Sequence, residues 1–143
     1  RAADGAGHSS PLYPGARAAI QRLHAQPDVL LGVATGKSKR GLDLLLEAHG
    51  LAPYFMTCQV ADFHPSKPHP SMLHTAMNDA GVDADQTVMV GDTTFDMQMA
   101  QAADVGFVGV AWGYHPISLL NAAHTILSDF GELDGALGDI WKE

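Results

Sequence analysis

Apolar residues along this chain gather in short unbroken runs, and helically spaced segments separate the runs. "DVLLGVA" (28–34), "TVMVG" (87–91) and "VGFVGVA" (105–111) are too short for helices. They read as strands buried on both faces, as in a parallel sheet. "MTCQV" (56–60) and a stretch near 125–128 read as further strands. After the Pro14-Gly15 turn signal, Ala19, Ile20 and Leu23 recur at helical spacing, which predicts a helix near 15–25. Leu42, Leu45, Leu46 and His49 share one face of a helix near 37–48, and Gly50 suits its stop. Met72, Leu73, Ala76 and Met77 mark a helix over 71–80. "FDMQMAQAA" (95–103) is a helix rich in small residues that can sit close to a sheet, with Met97, Met99 and Ala100 as its packing face. Helices near 117–123 and 131–141 complete the chain.

Two segments break the alternation. "HPSKPHP" (64–70) holds three prolines, which remove donors and fix backbone angles, so it is a stiff loop. "WGYHP" (112–116) is a second loop, whose Trp112, Tyr114 and His115 either line the mouth of a site or pack in the core. Residues 1–10 are small and polar and read as a flexible lead-in, leaving one domain over 11–143. Alternating strands and helices predict an α/β, Rossmann-like doubly wound parallel sheet with helices on both faces. Ligands of such sheets bind beyond the carboxyl ends of the strands.

Composition narrows the classes. The 143 residues suit a single globular domain, and 46% hydrophobic content excludes a disordered chain. The net charge of −8 argues against a broad nucleic-acid footprint, which needs a basic face. No apolar run approaches the roughly 18 residues that span a bilayer, so no membrane partner is expected. The single cysteine, Cys58, allows no disulfide within the chain, which fits a reducing, cytoplasmic setting. It reads as a buried apolar thiol. The chain begins at Arg1, which suggests part of a longer product.

The candidate chemistry lies at the strand ends. After the first strand comes Thr35-Gly36-Lys37-Ser38: a hydroxyl, a glycine and a helix start, which is either anion-binding geometry or a plain threonine cap. It is no P-loop, because the required first glycine falls on Leu31. Lys67 sits between Pro65, Pro68 and Pro70, either as a positioned cation or as a surface lysine. After the 87–91 strand come Asp92 and Asp96. They either hold Mg²⁺, which takes one or two carboxylates beside water and phosphate, or serve as a helix cap and a first-turn acid. Together, hydroxyl, cation and acids are the parts needed to bind a phosphate and a divalent metal. His64, His69 and His74 fit no single helix face and better serve the Lys67 loop or its surface than a zinc site.

"LYPGA" (12–16), "GVATGKS" (32–38), "PSKPHP" (65–70) and "MVGDTTFDMQMA" (89–100) come in the order found in one family. The chain resembles the haloacid dehalogenase superfamily, in its phosphoglycolate-phosphatase-like branch. The resemblance implies a Mg²⁺-dependent phosphomonoester hydrolase of a small phosphorylated metabolite, working through an aspartyl-phosphate. Thr35 would bond the transferring phosphoryl group, with the Gly36 and Lys37 amides nearby. Lys67 would neutralise charge on nucleophile and phosphate. Asp92 would ligate Mg²⁺, and Asp96 would complete or support that site.

The chain also departs from the family. The nucleophile motif, an apolar strand ending in D-x-D-G-T, and the helical cap after it are not in these 143 residues, and Asp4-Gly5 follows no strand. No nucleophile is therefore assigned, and the chain alone is expected to be inactive. In the family, the missing strand lies between those at 28–34 and 87–91, so the sheet is expected to be incomplete at its centre. Three outcomes could fill the gap: a separate N-terminal segment, a second copy in a homodimer, or closure of the half-sheets on each other. The alternative is a non-catalytic, receiver-like or degenerate module that binds phosphate and Mg²⁺, although receiver acids cluster earlier in the chain.

Overall fold

A computed structural model describes residues 15–110, 125–128 and 130–141. The expected loop at 112–116 and helix near 117–123, with the lead-in at 1–10, lie outside the described residues. The first helix, α1 (Ala16–His24), starts at Gly15, whose φ of 83° lies in the left-handed region that glycine enters without strain. Strand β1 (Gly32–Ala34) leads to α2 (Lys39–His49), and β2 (Thr57–Gln59) leads through a loop to α3 (Ser71–Ala80). Then come β3 (Val88–Gly91), α4 (Thr94–Ala103), β4 (Gly106–Val110), β5 (Thr125–Leu127) and α5 (Leu133–Trp141).

The strands form two parallel ladders. β1 pairs with β2, and β3, β4 and β5 pair in that order. Side chains alternate across them, as a two-residue period requires. Val33, Val108, Val110 and Leu127 enter a core with α1, α2 and α5. Met89 and Phe107 enter a second core with Met72, Leu73, Met97, Met99 and Ala100 of α3 and α4. Helices thus cover both faces of a parallel sheet, which is the doubly wound arrangement expected from the alternation. Among the described residues the sheet is interrupted in the middle. The edges of β1 and β3 both border one cavity of about 730 Å³, which Leu31, Val33, Met77, Val88 and Val90 help to line. Among the described residues the half-sheets do not close on each other, so that expected outcome is not what the chain adopts.

The gap explains a shortened strand. The apolar run at 28–34 predicts seven residues buried on both faces, yet only Gly32–Ala34 is strand, and Leu30 is 54% exposed. A ladder on one side alone fixes few residues, and the other side borders the cavity. Cys58 also differs from expectation, because it is exposed. In β2 the side chains of Thr57 and Gln59 are the buried ones, so the cysteine between them must face outward. Desolvation by its neighbours, and then the Asp43 carboxylate, push its thiol pKa up. Native Cys58 is therefore expected to react with Ellman's reagent without denaturant, but more slowly at pH 7 than a free thiol. A reaction that needs denaturant would contradict this placement.

Candidate active site at the carboxyl edge of the sheet

Thr35 follows β1 directly and is 1% exposed. Its amide continues the ladder by donating to the Gln59 carbonyl at 3.0 Å. Its Oγ1 accepts the Lys37 N–H at 3.1 Å, which leaves the hydroxyl proton free to be aimed elsewhere. The helix is not capped by Thr35. Ser38 is the N-cap, accepting from Gly41 N–H at 3.1 Å, so α2 begins at Lys39 and Lys37 precedes it. A Cβ on Gly36 would meet nothing within 4 Å, so that backbone borders open space.

The loop after β2 is fastened to this turn. Ala61 N–H donates to the Lys37 carbonyl at 3.0 Å, and the Asp62 carboxylate accepts the Lys39 N–H at 2.8 Å. Asp62 therefore supplies an acid to the first turn of α2 from outside the helix. Further along the loop, Lys67 Nζ donates to Asp96 Oδ1 at 2.7 Å. That ion pair joins the half-sheets: Lys67 lies beyond β2 and Asp96 beyond β3. The carboxyl ends of both ladders consequently lie on one side.

The acids follow β3. Asp92 is 1% exposed, and so is Asp96 in the first turn of α4. Thr93, not Asp92, is the N-cap, with its hydroxyl oxygen accepting Asp96 N–H at 3.1 Å. The T-x-x-D spacing of Thr93 and Asp96 is the usual sign of a capping box, and it was visible in the sequence. Here the acid reaches one residue further back, and its Oδ2 accepts the Asp92 N–H at 3.3 Å. Gly91 makes this reach possible. A Cβ there would lie 2.6 Å from both Cβ and Oδ2 of Asp96.

The structure thus joins Lys67, Asp92 and Asp96 directly, and ties Thr35, Gly36 and Lys37 to the same loop system. Two buried carboxylates four residues apart at the end of β3 are hard oxygen donors of the kind Mg²⁺ takes. Among the described residues no group of three or more His, Cys, Asp or Glu side chains could hold a metal ion. A cation here would draw its other ligands from water, phosphate or further protein groups. Of the three histidines, His64 is part-buried in a polar network, His69 accepts the Ser71 N–H at 3.1 Å, and His74 is exposed.

Comparison with known proteins shows the family to which the chain belongs. The family described as "Haloacid dehalogenase-like hydrolase" matches residues 2–110. A probable phosphatase, IndB, of Dickeya dadantii is 43% identical over 135 residues, covering 92% of this chain and 58% of its own. A phosphoglycolate phosphatase of Rhodospirillum rubrum is 38% identical, covering 89% and 53%. The chain therefore spans little more than half the length of these relatives. The crystal structure of a predicted phosphoglycolate phosphatase from Haemophilus somnus superposes with a TM-score of 0.82 at 28% identity, covering 89% of this chain and 57% of that one. The chain belongs to the haloacid dehalogenase-like hydrolases, in their phosphoglycolate-phosphatase-like branch.

Proposed function

We propose that this chain is the larger part of a Mg²⁺-dependent phosphomonoester hydrolase acting on a small organic phosphate of the phosphoglycolate kind. The observation that carries this reading is the contact of Lys67 with Asp96, beside the buried Asp92, at the edge where the Thr35 turn also ends. A mostly buried cation and two buried acids at one sheet edge, with the Thr35 turn fastened to the same loop system, form a strong electrostatic site for a phosphate and its metal.

Each side chain has a distinct task. The Thr35 oxygen already accepts from the backbone, so its O–H donates to a phosphoryl oxygen. Lys67, held against Asp96, offsets negative charge on the phosphate. Asp92 is the direct metal ligand. Asp96 has two of its acceptor sites engaged, so it supports the metal site by holding Lys67 and the Asp92 backbone. A bound Mg²⁺ would supply charge neutralisation on the phosphoryl oxygens. The attacking carboxylate and the general acid belong to a D-x-D-G-T strand that these 143 residues do not contain. The chain alone is therefore expected to show no metal-dependent turnover of p-nitrophenyl phosphate.

Asp92→Asn tests the assignment in a longer product that carries such a strand. The change keeps the shape and removes the charge. Mg²⁺ binding by calorimetry should disappear, and kcat should fall by about 10³-fold or more, the scale of losing one preorganised electrostatic group. Retained activity with unchanged Mg²⁺ affinity would break the assignment.

A further inference from the structure

Five polar side chains outside the phosphate site form one ordered chain. Asp79 of α3 is acceptor-only when ionised, and its Oδ2 takes the Thr57 hydroxyl at 2.9 Å and the Gln59 Nε2 at 3.1 Å. The other Nε2 hydrogen of Gln59 goes to Thr57 Oγ1 at 2.8 Å. With both amide hydrogens used on that side, the Gln59 carbonyl oxygen is turned to His64, 2.7 Å from Nε2. His64 must therefore carry a proton on Nε2. Its Nδ1 faces the Ser71 hydroxyl at 2.7 Å. Every donor in the chain has one acceptor, and the carboxylate at its end sets the direction.

The positions matter as much as the bonds. Gln59 is the last residue of β2 and Ser71 the first of α3. The loop between them carries Lys67. One imidazole thus bridges the two stems of that loop, while Lys67 at its far side reaches Asp96. Gln59 is 7% exposed, so its anchor is set in the protein interior and is not free to drift.

We propose that His64 is the positioning residue for Lys67. By fixing the distance between the end of β2 and the start of α3, its imidazole, with Nε2–H donating to Gln59, holds the loop at the height where Lys67 meets Asp96. This deepens the proposed function and rests on it only for the catalytic consequence. The geometric claim stands on the hydrogen bonds alone. Prolines stiffen the loop but leave its two ends to be placed; Asp79 ties β2 to the far end of α3, and His64 touches both ends of the loop itself.

The test separates the two claims. In the 143-residue chain, the rate of Lys67 acetylation by acetic anhydride is compared with that of the exposed Lys39. His64→Ala should raise the Lys67 to Lys39 ratio at least threefold. His64→Gln, which can keep the bond to Gln59, should raise it less, and His74→Ala should leave it unchanged. Ser71→Ala removes only the Nδ1 contact and provides a milder variant should His64→Ala fold poorly; it should give an intermediate ratio. Nitrogen-15 NMR of the unsubstituted chain should show the Nε2–H tautomer at His64. An unchanged ratio in Ser71→Ala and His64→Gln, or the opposite tautomer, would overturn the proposal. In the longer active product, His64→Ala should lower kcat/KM about tenfold. If the acetylation ratio rises while kcat/KM does not move, positioning stands and the role of Lys67 in phosphate chemistry fails.

Discussion

Gly91→Ala is expected to undo the junction between the two half-sheets. The new Cβ would lie 2.6 Å from Asp96 Cβ and 2.8 Å from its Cγ. These atoms sit at the base of a side chain on the first turn of α4, not at a flexible tip. Either the turn shifts or Asp96 rotates away, and both lose the bonds to Lys67 and to the Asp92 amide. Overpacking of this kind costs about 1–3 kcal/mol. Leaving one member of a buried ion pair without its partner costs about 3–5 kcal/mol when both are fully enclosed, and less here because Lys67 keeps some solvent contact. A total loss of about 2–4 kcal/mol should appear in chemical denaturation. Gly36→Ala is the control, because its Cβ would meet nothing within 4 Å and should change stability little. Equal stability of the two variants would show that Asp96 is not held as described.

The second large effect concerns the cavity between β1 and β3. Were its 730 Å³ a dry void, the loss at about 24 cal/mol per Å³ would be about 18 kcal/mol. That exceeds the ~5–15 kcal/mol by which whole domains are stable. The cavity is open, so water relieves part of this cost, but its lining is largely apolar, and among the described residues neither bordering strand edge is laddered on that side. The 143-residue chain by itself should therefore bind the dye ANS, melt at low temperature and self-associate as concentration rises. A longer product with an apolar strand upstream should melt at least ~10 °C higher, since each kcal/mol moves the midpoint by a few degrees at this size. A monomeric chain that melts cooperatively, excludes ANS and gains nothing from the added strand would refute this.

Most elements were legible because this fold writes its strands as short apolar runs and its helices as clear faces. The helices over 71–80 and 95–103 appear within a residue of their expected ends. The strand at 28–34 was overread because composition records which residues prefer burial and not whether a neighbouring strand is there to bury them. Lys67, Asp92 and Asp96 could be named from their places after strands. Their mutual contacts could not, because the pairing of Lys67 with Asp96 spans 29 positions and depends on how two loops meet. Gly91 looked like an ordinary strand-end glycine, and only the approach of Asp96 shows why a side chain has no room there. The network through His64 was hidden for a similar reason. Its members are common polar residues on three elements, and no local spacing marks them as one chain.

The bonds from Ala61 to Lys37 and from Asp62 to Lys39 make the turns beyond β1 and β2 a single plate. The acids ride on a different plate, built on β3 and α4. Whatever lies between β1 and β3 therefore acts as a gauge block between the jaws of a caliper. Its width sets how far Thr35 stands from Asp92, so the spacing along the carboxyl edge is decided at the middle of the sheet.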